Sequence, residues 1–149
     1  MFDGKFRTPI DKAVRPIGNG LRKTGLTPDH LTIAGLLLAC AAAVTIGYGH
    51  LRWGLLLVVL AALPDLLDGA LAKASATASQ RGAFFDSVVD RVTDALLLGG
   101  VAWHLALSKT PQQSVLPFAV MALSSVISYQ RAKAESLGLY AKGGLMERA

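Results

Sequence analysis

The sequence predicts an all-α fold: a polytopic bundle of membrane-spanning helices, preceded by an amphipathic helix at the membrane surface. Of the 149 residues, 52% are hydrophobic and 17% are charged, whereas soluble domains carry about 25% charged residues. Between the charge clusters lie long uncharged stretches at 31–51, 53–64, 95–108 and 110–130. Because a helix needs about 20 mostly apolar residues to cross a bilayer, these stretches indicate membrane segments.

The N-terminal segment 1–30 has the pattern of a helix lying in the membrane interface. Apolar residues recur there every three or four positions, which places them on one side of a helix. Basic residues are interleaved with them and would face lipid headgroups. We expect 1–30 to be a juxtamembrane amphipathic segment and 31–149 to be the membrane domain; a disordered basic tail is the alternative for 1–30. The apolar and basic positions are Phe2, Phe6, Ile10, Val14, Ile17 and Leu21, and Lys5, Arg7, Lys12, Arg15, Arg22 and Lys23.

Four helices are predicted after this segment, at 31–47, 53–74, 83–107 and 114–135. Pro28 in the preceding turn suits the first turn of a helix. Short links make successive helices antiparallel neighbours. The chain ends with Glu147, Arg148 and Ala149 and has no cap or further helix there, so we expect a C-terminally truncated fragment.

Basic residues predict the orientation of the bundle in the plasma membrane. Lys and Arg accumulate before the first helix, between the second and third, and after the fourth, which places these segments and the N-terminus in the cytoplasm. Tyr48, Trp53 and Trp103 then fall at the opposite interface, where aromatic rings anchor. The net charge of +5 is distributed around apolar runs, so it indicates anionic lipid and not nucleic acid as the partner.

Two pairs of aspartates carry the predicted chemistry. Asp65 and Asp68 are spaced i, i+3 near the end of the second helix, and Asp86 and Asp90 are spaced i, i+4 near the start of the third. Each pair lies on one helix face, and the topology brings both pairs to the cytoplasmic level. Burying four carboxylates together is costly unless cations offset their charge. All-oxygen ligands suit Mg²⁺ or Mn²⁺, and two such ions could clamp an in-line displacement at phosphorus.

Small residues beside the aspartates allow a ligand to approach the backbone closely. They are Gly69, Ala72 and Gly82. Ordinary packing of small residues between membrane helices is the alternative for each of them taken alone.

The pattern D-x2-D-G-x2-A-(R)-x8-G-x3-D-x3-D resembles the signature of the CDP-alcohol phosphatidyltransferases. It falls on Asp65, Asp68, Gly69, Ala72, Lys73, Gly82, Asp86 and Asp90. The one departure is Lys73, where the family usually has arginine, so the bidentate fork of arginine is missing there.

The resemblance implies a six-helix bundle, usually a homodimer, with a cavity open to the cytoplasm. It implies two divalent ions, Mg²⁺ or Mn²⁺, held by Asp65, Asp68, Asp86 and Asp90. Asp90 would also be the general base. The substrates of the enzyme would be CDP-diacylglycerol and an alcohol, and CMP would be released. The residues implied for binding the CDP-lipid are Asp65, Asp68, Gly69, Ala72, Lys73, Gly82 and Thr32.

Arg91, Arg131 and Lys133 are expected at the same cytoplasmic level as the four aspartates. Several cations near one site indicate an acceptor that carries a phosphate. The segments 90–94, 127–135 and 143–148, which hold Arg91, Arg131, Lys133 and Arg148, also resemble the bacterial phosphatidylinositol-phosphate synthases. This resemblance implies that the acceptor is inositol phosphate. Glycerol 3-phosphate, the acceptor of phosphatidylglycerophosphate synthases, is the alternative. Anchoring of the bundle by snorkelling side chains is the alternative reading of any one cation. The implied phosphate-binding residues are Arg91, Arg131, Lys133 and Arg148.

Other polar residues in the helices are assigned structural roles. Asp94 is expected to pair with Arg91 at i, i+3, and Ser124, Ser125 and Ser128 are expected to mediate helix contacts. A membrane cation transporter is the alternative of a different class. Its acids would usually lie near the membrane midplane and not at one surface.

Overall fold

The computed structural model describes residues 27–75 and 79–139, and the side chains of 27–64 and 79–139. These ranges contain helices and no strand, so the all-α prediction is confirmed. Every helix end lies within three residues of its predicted position. The amphipathic helix predicted for 1–30 lies almost entirely outside the described residues and stays a prediction. The helices are α1 (Pro28–Gly47), α2 (Leu51–Ser75), α3 (Gln80–Ala106), a short 3₁₀ helix (Pro111–Ser114) and α4 (Val115–Ser136).

Helix α1 begins with a capping box. Thr27 has extended backbone angles, and its hydroxyl oxygen accepts from the His30 amide at 3.4 Å. In return, His30 Nδ1 accepts from the Thr27 amide at 3.2 Å. Histidine takes the place of the usual Glu or Gln, and Pro28 occupies the first turn, where its missing amide hydrogen costs nothing. The predicted turn before the first helix is therefore confirmed.

Two helices end in the same hydrogen-bonded motif, which needs a glycine. After α1, the His50 amide donates to the Thr45 carbonyl at 3.1 Å and the Gly49 amide to the Ile46 carbonyl at 2.8 Å. The C-terminal end of α4 repeats this pattern around Gly138: the Leu139 amide donates to the Ala134 carbonyl and the Gly138 amide to the Glu135 carbonyl. Gly49 has φ +85° and Gly138 has φ +71°. This left-handed conformation disfavours any residue with a Cβ.

Close contacts fix the directions of the first three helices. A Cβ built on Gly35 of α1 would lie 3.3 Å from the Ala61 carbonyl of α2, whereas Ile46, further along α1, contacts Gly54, nearer the start of α2. Helices α1 and α2 are therefore antiparallel. A Cβ on Gly100 of α3 would lie 2.5 Å from the carbonyl oxygen of Ala43.

The next contact between α1 and α3 joins Gly47 to the Trp103 ring. Because the residue numbers of the contacting positions increase together along both helices, α1 and α3 are parallel. The rings of Tyr48 and Trp103 lie 5.0 Å apart at an interplanar angle of 58°. We call this end of the bundle, which holds Tyr48, Trp53 and Trp103, the aromatic end.

The interior of the bundle is built mainly from small residues, and the large apolar residues face outward. Among the described residues, the buried apolar ones include Ala39, Ala42, Ala43, Ile46, Ala61, Val89 and Ala102. Small residues between helices and large apolar ones outside are typical of membrane bundles, where the lipid is as apolar as the side chains. Exposed large side chains occur on every helix, among them Leu37, Leu55, Val101, Phe118 and Ile127.

One helix of the described chain, α1, is long and apolar enough to cross a membrane; the apolar part of α2, Leu51–Pro64, is shorter. Helix α3 carries Asp86, Asp90 and Arg91 in its first half and Asp94 at its middle, which reduces its apolar length. The four predicted spans therefore correspond to four observed helices, of which one meets the criteria for a span by itself.

Candidate active site

The predicted functional residues that fall within 27–75 and 79–139 lie on segments at one end of the bundle. Since α1 and α3 are parallel and α2 runs opposite to α1, the first turns of α1 and α3 lie beside the last turns of α2. Helix α4 returns from the aromatic end after the 107–114 link, which brings its last turns to the same place. We call this end the aspartate end. Its predicted site residues are Thr32, Asp65, Asp68, Gly69, Ala72, Lys73, Gly82, Asp86, Asp90, Arg91, Arg131 and Lys133.

Asp86 and Asp90 lie one turn apart on α3, and both are half-buried. Each makes an interaction with another group, so neither carboxylate is without a partner. On α2, the backbone of residues 65–75 is helical, as the prediction that Asp65 and Asp68 share one helix face requires. Their side chains, with those of Gly69, Ala72 and Lys73, are not among those described. Arg148 lies outside the described residues.

The donor set suits a divalent cation. Carboxylate oxygens at i, i+3 and i, i+4 on two antiparallel helices are the hard ligands that Mg²⁺ and Mn²⁺ prefer. Among the residues whose side chains are described, no three acidic, histidine or cysteine residues come together. Two of the four predicted ligands fall outside that set, so the metal centre stays a prediction.

The start of α3 has a capped turn close to the aspartates. The Gly82 amide donates to the Ser79 hydroxyl oxygen at 3.0 Å. A Cβ on Gly82 would lie 3.2 Å from the same oxygen. Gly82 therefore has a local reason to be small, in addition to its predicted role in binding the CDP-lipid.

Thr32 is buried in the second turn of α1, with 8% of its surface exposed. Its hydroxyl donates to the Pro28 carbonyl at 3.1 Å, and it has a further interaction. The predicted contact of Thr32 with the CDP-lipid stays a prediction.

Arg91 joins α3 to α4. Its Nη1 lies 2.9 Å from Asp94 Oδ2 and donates to the hydroxyl oxygens of Ser128 at 3.2 Å and Ser124 at 3.5 Å. The predicted Arg91–Asp94 pair is confirmed, and so is the helix-contact role of Ser124 and Ser128. Ser125, for which the same role was predicted, is exposed.

Two more ion pairs occupy the aspartate end. Arg131 Nε donates to Glu135 Oε1 at 3.0 Å within α4, while Lys133 is exposed. Arg81 Nη2 lies 4.0 Å from Asp29 Oδ2 and links the first turns of α3 and α1. Sequence reasoning missed the Arg81–Asp29 contact, because residues far apart in sequence give no periodic signal.

Comparison with known proteins identifies the family of this arrangement. The family model of the CDP-alcohol phosphatidyltransferases matches residues 25–138. The phosphatidylinositol phosphate synthase of Mycobacteroides abscessus is 40% identical over 95% of this chain and 66% of its own length. That of Mycolicibacterium smegmatis is 37% identical over 95% of this chain and 65% of its own length. The chain thus spans slightly less than two thirds of these relatives.

Solved structures show the same relationship. The Mycobacterium tuberculosis phosphatidylinositol phosphate synthase with CDP-DAG bound has a TM-score of 0.83 at 34% identity, covering 92% of this chain and 70% of that one. The same enzyme in complex with manganese and citrate has a TM-score of 0.82 at 36% identity, covering 91% and 66%. The motif spacing, the helical architecture and these matches agree: the chain belongs to the CDP-alcohol phosphatidyltransferase family.

Proposed function

We propose that this protein transfers the phosphatidyl group of CDP-diacylglycerol to a hydroxyl of inositol phosphate and releases CMP. The observation that carries the proposal is the similarity along 95% of this chain to proteins named phosphatidylinositol phosphate synthases. The fold similarity to a synthase with CDP-DAG bound supports the donor. Membership of a transferase family disfavours the cation transporter.

Four aspartates are proposed to hold the metal. Asp65 and Asp68 on α2 and Asp86 and Asp90 on α3 would bind two Mg²⁺ or Mn²⁺ ions, and the manganese complex of a similar structure supports such a site. When bound, the ions would neutralise the pyrophosphate of the CDP-lipid and favour departure of CMP. Thr32, Gly69, Ala72, Lys73 and Gly82 would line the path of that pyrophosphate.

Asp90 is proposed as the general base. Its carboxylate would take the proton of the acceptor hydroxyl as that oxygen bonds to the phosphorus bearing diacylglycerol. The bond from this phosphorus to the CMP oxygen then breaks. A carboxylate suits this role because the transfer depends on positioning and on charge neutralisation more than on a strong base.

The acceptor is proposed to carry a phosphate because cations gather where α3 and α4 share the aspartate end. Arg91 and Arg131 lie there with Lys133, and Arg148 is proposed to join them. Arginine pairs with phosphate in a bidentate geometry that uncharged acceptors such as free inositol cannot use. Glycerol 3-phosphate is the second candidate, since it offers the same phosphate.

In the membrane, α1 to α4 are proposed to be four spans of the plasma membrane, with the aspartate end in the cytoplasm. The outward-facing large apolar residues support a lipid surrounding. The basic residues at the aspartate end agree with the positive-inside rule. Assembly as a homodimer is proposed from the family resemblance.

The deciding experiment measures CMP release by the full chain in liposomes that contain CDP-diacylglycerol. Inositol phosphate, glycerol 3-phosphate, free inositol and serine are supplied separately, each with Mg²⁺ or Mn²⁺. We expect release with inositol phosphate, its loss with a chelator, and its return when either ion is added. Release with glycerol 3-phosphate alone would keep the reaction and replace the acceptor. No metal-dependent release with any of the four would contradict the proposed function.

A further inference from the structure

Arg91 is held by the protein through one nitrogen. Asp94 Oδ2 and the hydroxyls of Ser128 and Ser124 all contact Nη1, at 2.9, 3.2 and 3.5 Å. Asp94 lies one turn along the same helix, whereas the two serines lie one turn apart on α4. The guanidinium is therefore fixed from two helices at once.

This arrangement leaves the other edge of the guanidinium available. Within the part of the chain that the structure describes, Nε and Nη2 of Arg91 make no hydrogen bond or ion pair. The Nε–Nη2 edge is the planar fork that matches two oxygens of a phosphate. About a quarter of the side chain remains accessible, at 26%.

Holding the guanidinium in advance has an energetic reason. A free arginine side chain loses much rotamer freedom when it binds a ligand, and this loss weakens binding. A charge-assisted bond to Asp94 and two bonds to serine hydroxyls impose that order before the ligand arrives. Asp94 also offsets the positive charge within an apolar bundle, where an unpaired cation is costly.

We infer that Asp94, Ser124 and Ser128 are positioning residues, which hold Arg91 by Nη1 and present its Nε–Nη2 edge to the acceptor's phosphate. The inference rests on the proposed function, because it needs an acceptor with a phosphate. It assigns α4 a part in acceptor affinity that does not depend on Arg131 or Lys133.

The test compares the variants Asp94→Asn and Ser124→Ala/Ser128→Ala with the wild type. CMP release is measured in liposomes while the phosphorylated acceptor and CDP-diacylglycerol are varied in turn. We expect Asp94→Asn to raise the KM for the acceptor about tenfold, as loss of one charge-assisted contact would. The double serine variant should raise it by a smaller factor. The KM for CDP-diacylglycerol and kcat should stay close to the wild-type values, and Asp94→Glu should restore part of the acceptor affinity.

Ser125→Ala is the matched control, since Ser125 lies between the two serines in sequence but is exposed. It should leave all three constants unchanged. If Asp94→Asn does not fold, the serine variant decides, because it removes no charge.

Three results would overturn the inference. An unchanged acceptor KM in the variants, with an active wild type, would refute the positioning role and leave the proposed function intact. Parallel changes in both KM values and in kcat would indicate a purely structural role and refute it as well. If the wild type released no CMP with either inositol phosphate or glycerol 3-phosphate, the proposed function and the inference would be refuted together.

Discussion

The aromatic end and the aspartate end of the bundle are built on different principles. Among the residues whose side chains are described, most of the buried ones lie in the middle of the helices or toward the aromatic end, where Ala43 meets Gly100 and Gly47 meets Trp103. At the aspartate end, three ion pairs join described side chains: Arg91 with Asp94, Arg131 with Glu135 and Arg81 with Asp29. Close packing and the proposed chemistry are therefore separated along the helix axis.

This separation has a physical basis. Membrane helices associate through the close approach of small residues, which leaves no room for a substrate. A site for a charged lipid headgroup needs open space and uncompensated polar edges. The comparison predicts that substitutions at the aspartate end change catalysis more than stability, and that those in the closely packed region do the reverse.

The largest expected effect is that of Asp90→Asn on catalysis. The amide cannot accept the acceptor's proton and binds a divalent cation poorly, so CMP release should fall by about 10²- to 10⁴-fold. Resistance to unfolding by SDS in detergent micelles should stay near that of the wild type. Activity close to that of the wild type would contradict the catalytic role of Asp90. A large loss of stability would contradict the claim that the aspartate end contributes mainly to catalysis.

A smaller effect, on stability, is expected for Gly100→Ala. The added methyl would meet the Ala43 backbone, with its oxygen 2.5 Å away, so α1 and α3 must move apart. We expect a loss of about 1–3 kcal/mol in the free energy of unfolding. Gly99→Ala is the matched control, because a Cβ there meets nothing within 4 Å, and it should change stability by about 0.5 kcal/mol or less. Equal losses in both variants would contradict the proposed packing of α1 on α3.

The smallest expected effect is that of Arg81→Ala. Its guanidinium lies 4.0 Å from Asp29, and the two side chains are 89% and 44% exposed. Exposed pairs of this kind contribute little, so the free energy of unfolding should change by about 0.5 kcal/mol or less. The same measurement in high salt should give a difference closer to zero, because salt screens the attraction between exposed charges. A loss as large as that of Gly100→Ala would show that the aspartate end also determines stability.

The helices themselves were predictable from the sequence because charges interrupt the apolar stretches at nearly the places where the helices end. The motif spacing also predicted that Asp65 and Asp68, and then Asp86 and Asp90, share helix faces. Asp94 could be paired with Arg91 because i, i+3 neighbours on a helix face each other.

Contacts between helices were harder to predict. Nothing periodic in the sequence shows that Gly100 opposes Ala43, or that Arg91 reaches Ser124 and Ser128, since both depend on how α3 is rotated against its neighbours. The capping box of Thr27 was also missed as such, because His30 replaces the acidic or amide residue that usually marks this motif. The side-chain arrangement of Asp65 and Asp68 stays a prediction.

The contact between Gly35 and Pro64 has a consequence for how the sequence can vary. A Cβ on Gly35 would lie 3.5 Å from the Cβ of Pro64, and Pro64 is followed directly by Asp65. Because proline has no amide hydrogen to donate to the carbonyl four residues earlier, α2 lacks one backbone hydrogen bond at this point and can bend more easily. The direction of the segment that carries Asp65 and Asp68 then depends on its neighbour in α1. A substitution at Gly35, which has no reactive group, would therefore change the position of the aspartate motif. The residues tolerated at Gly35 and in the motif depend on each other.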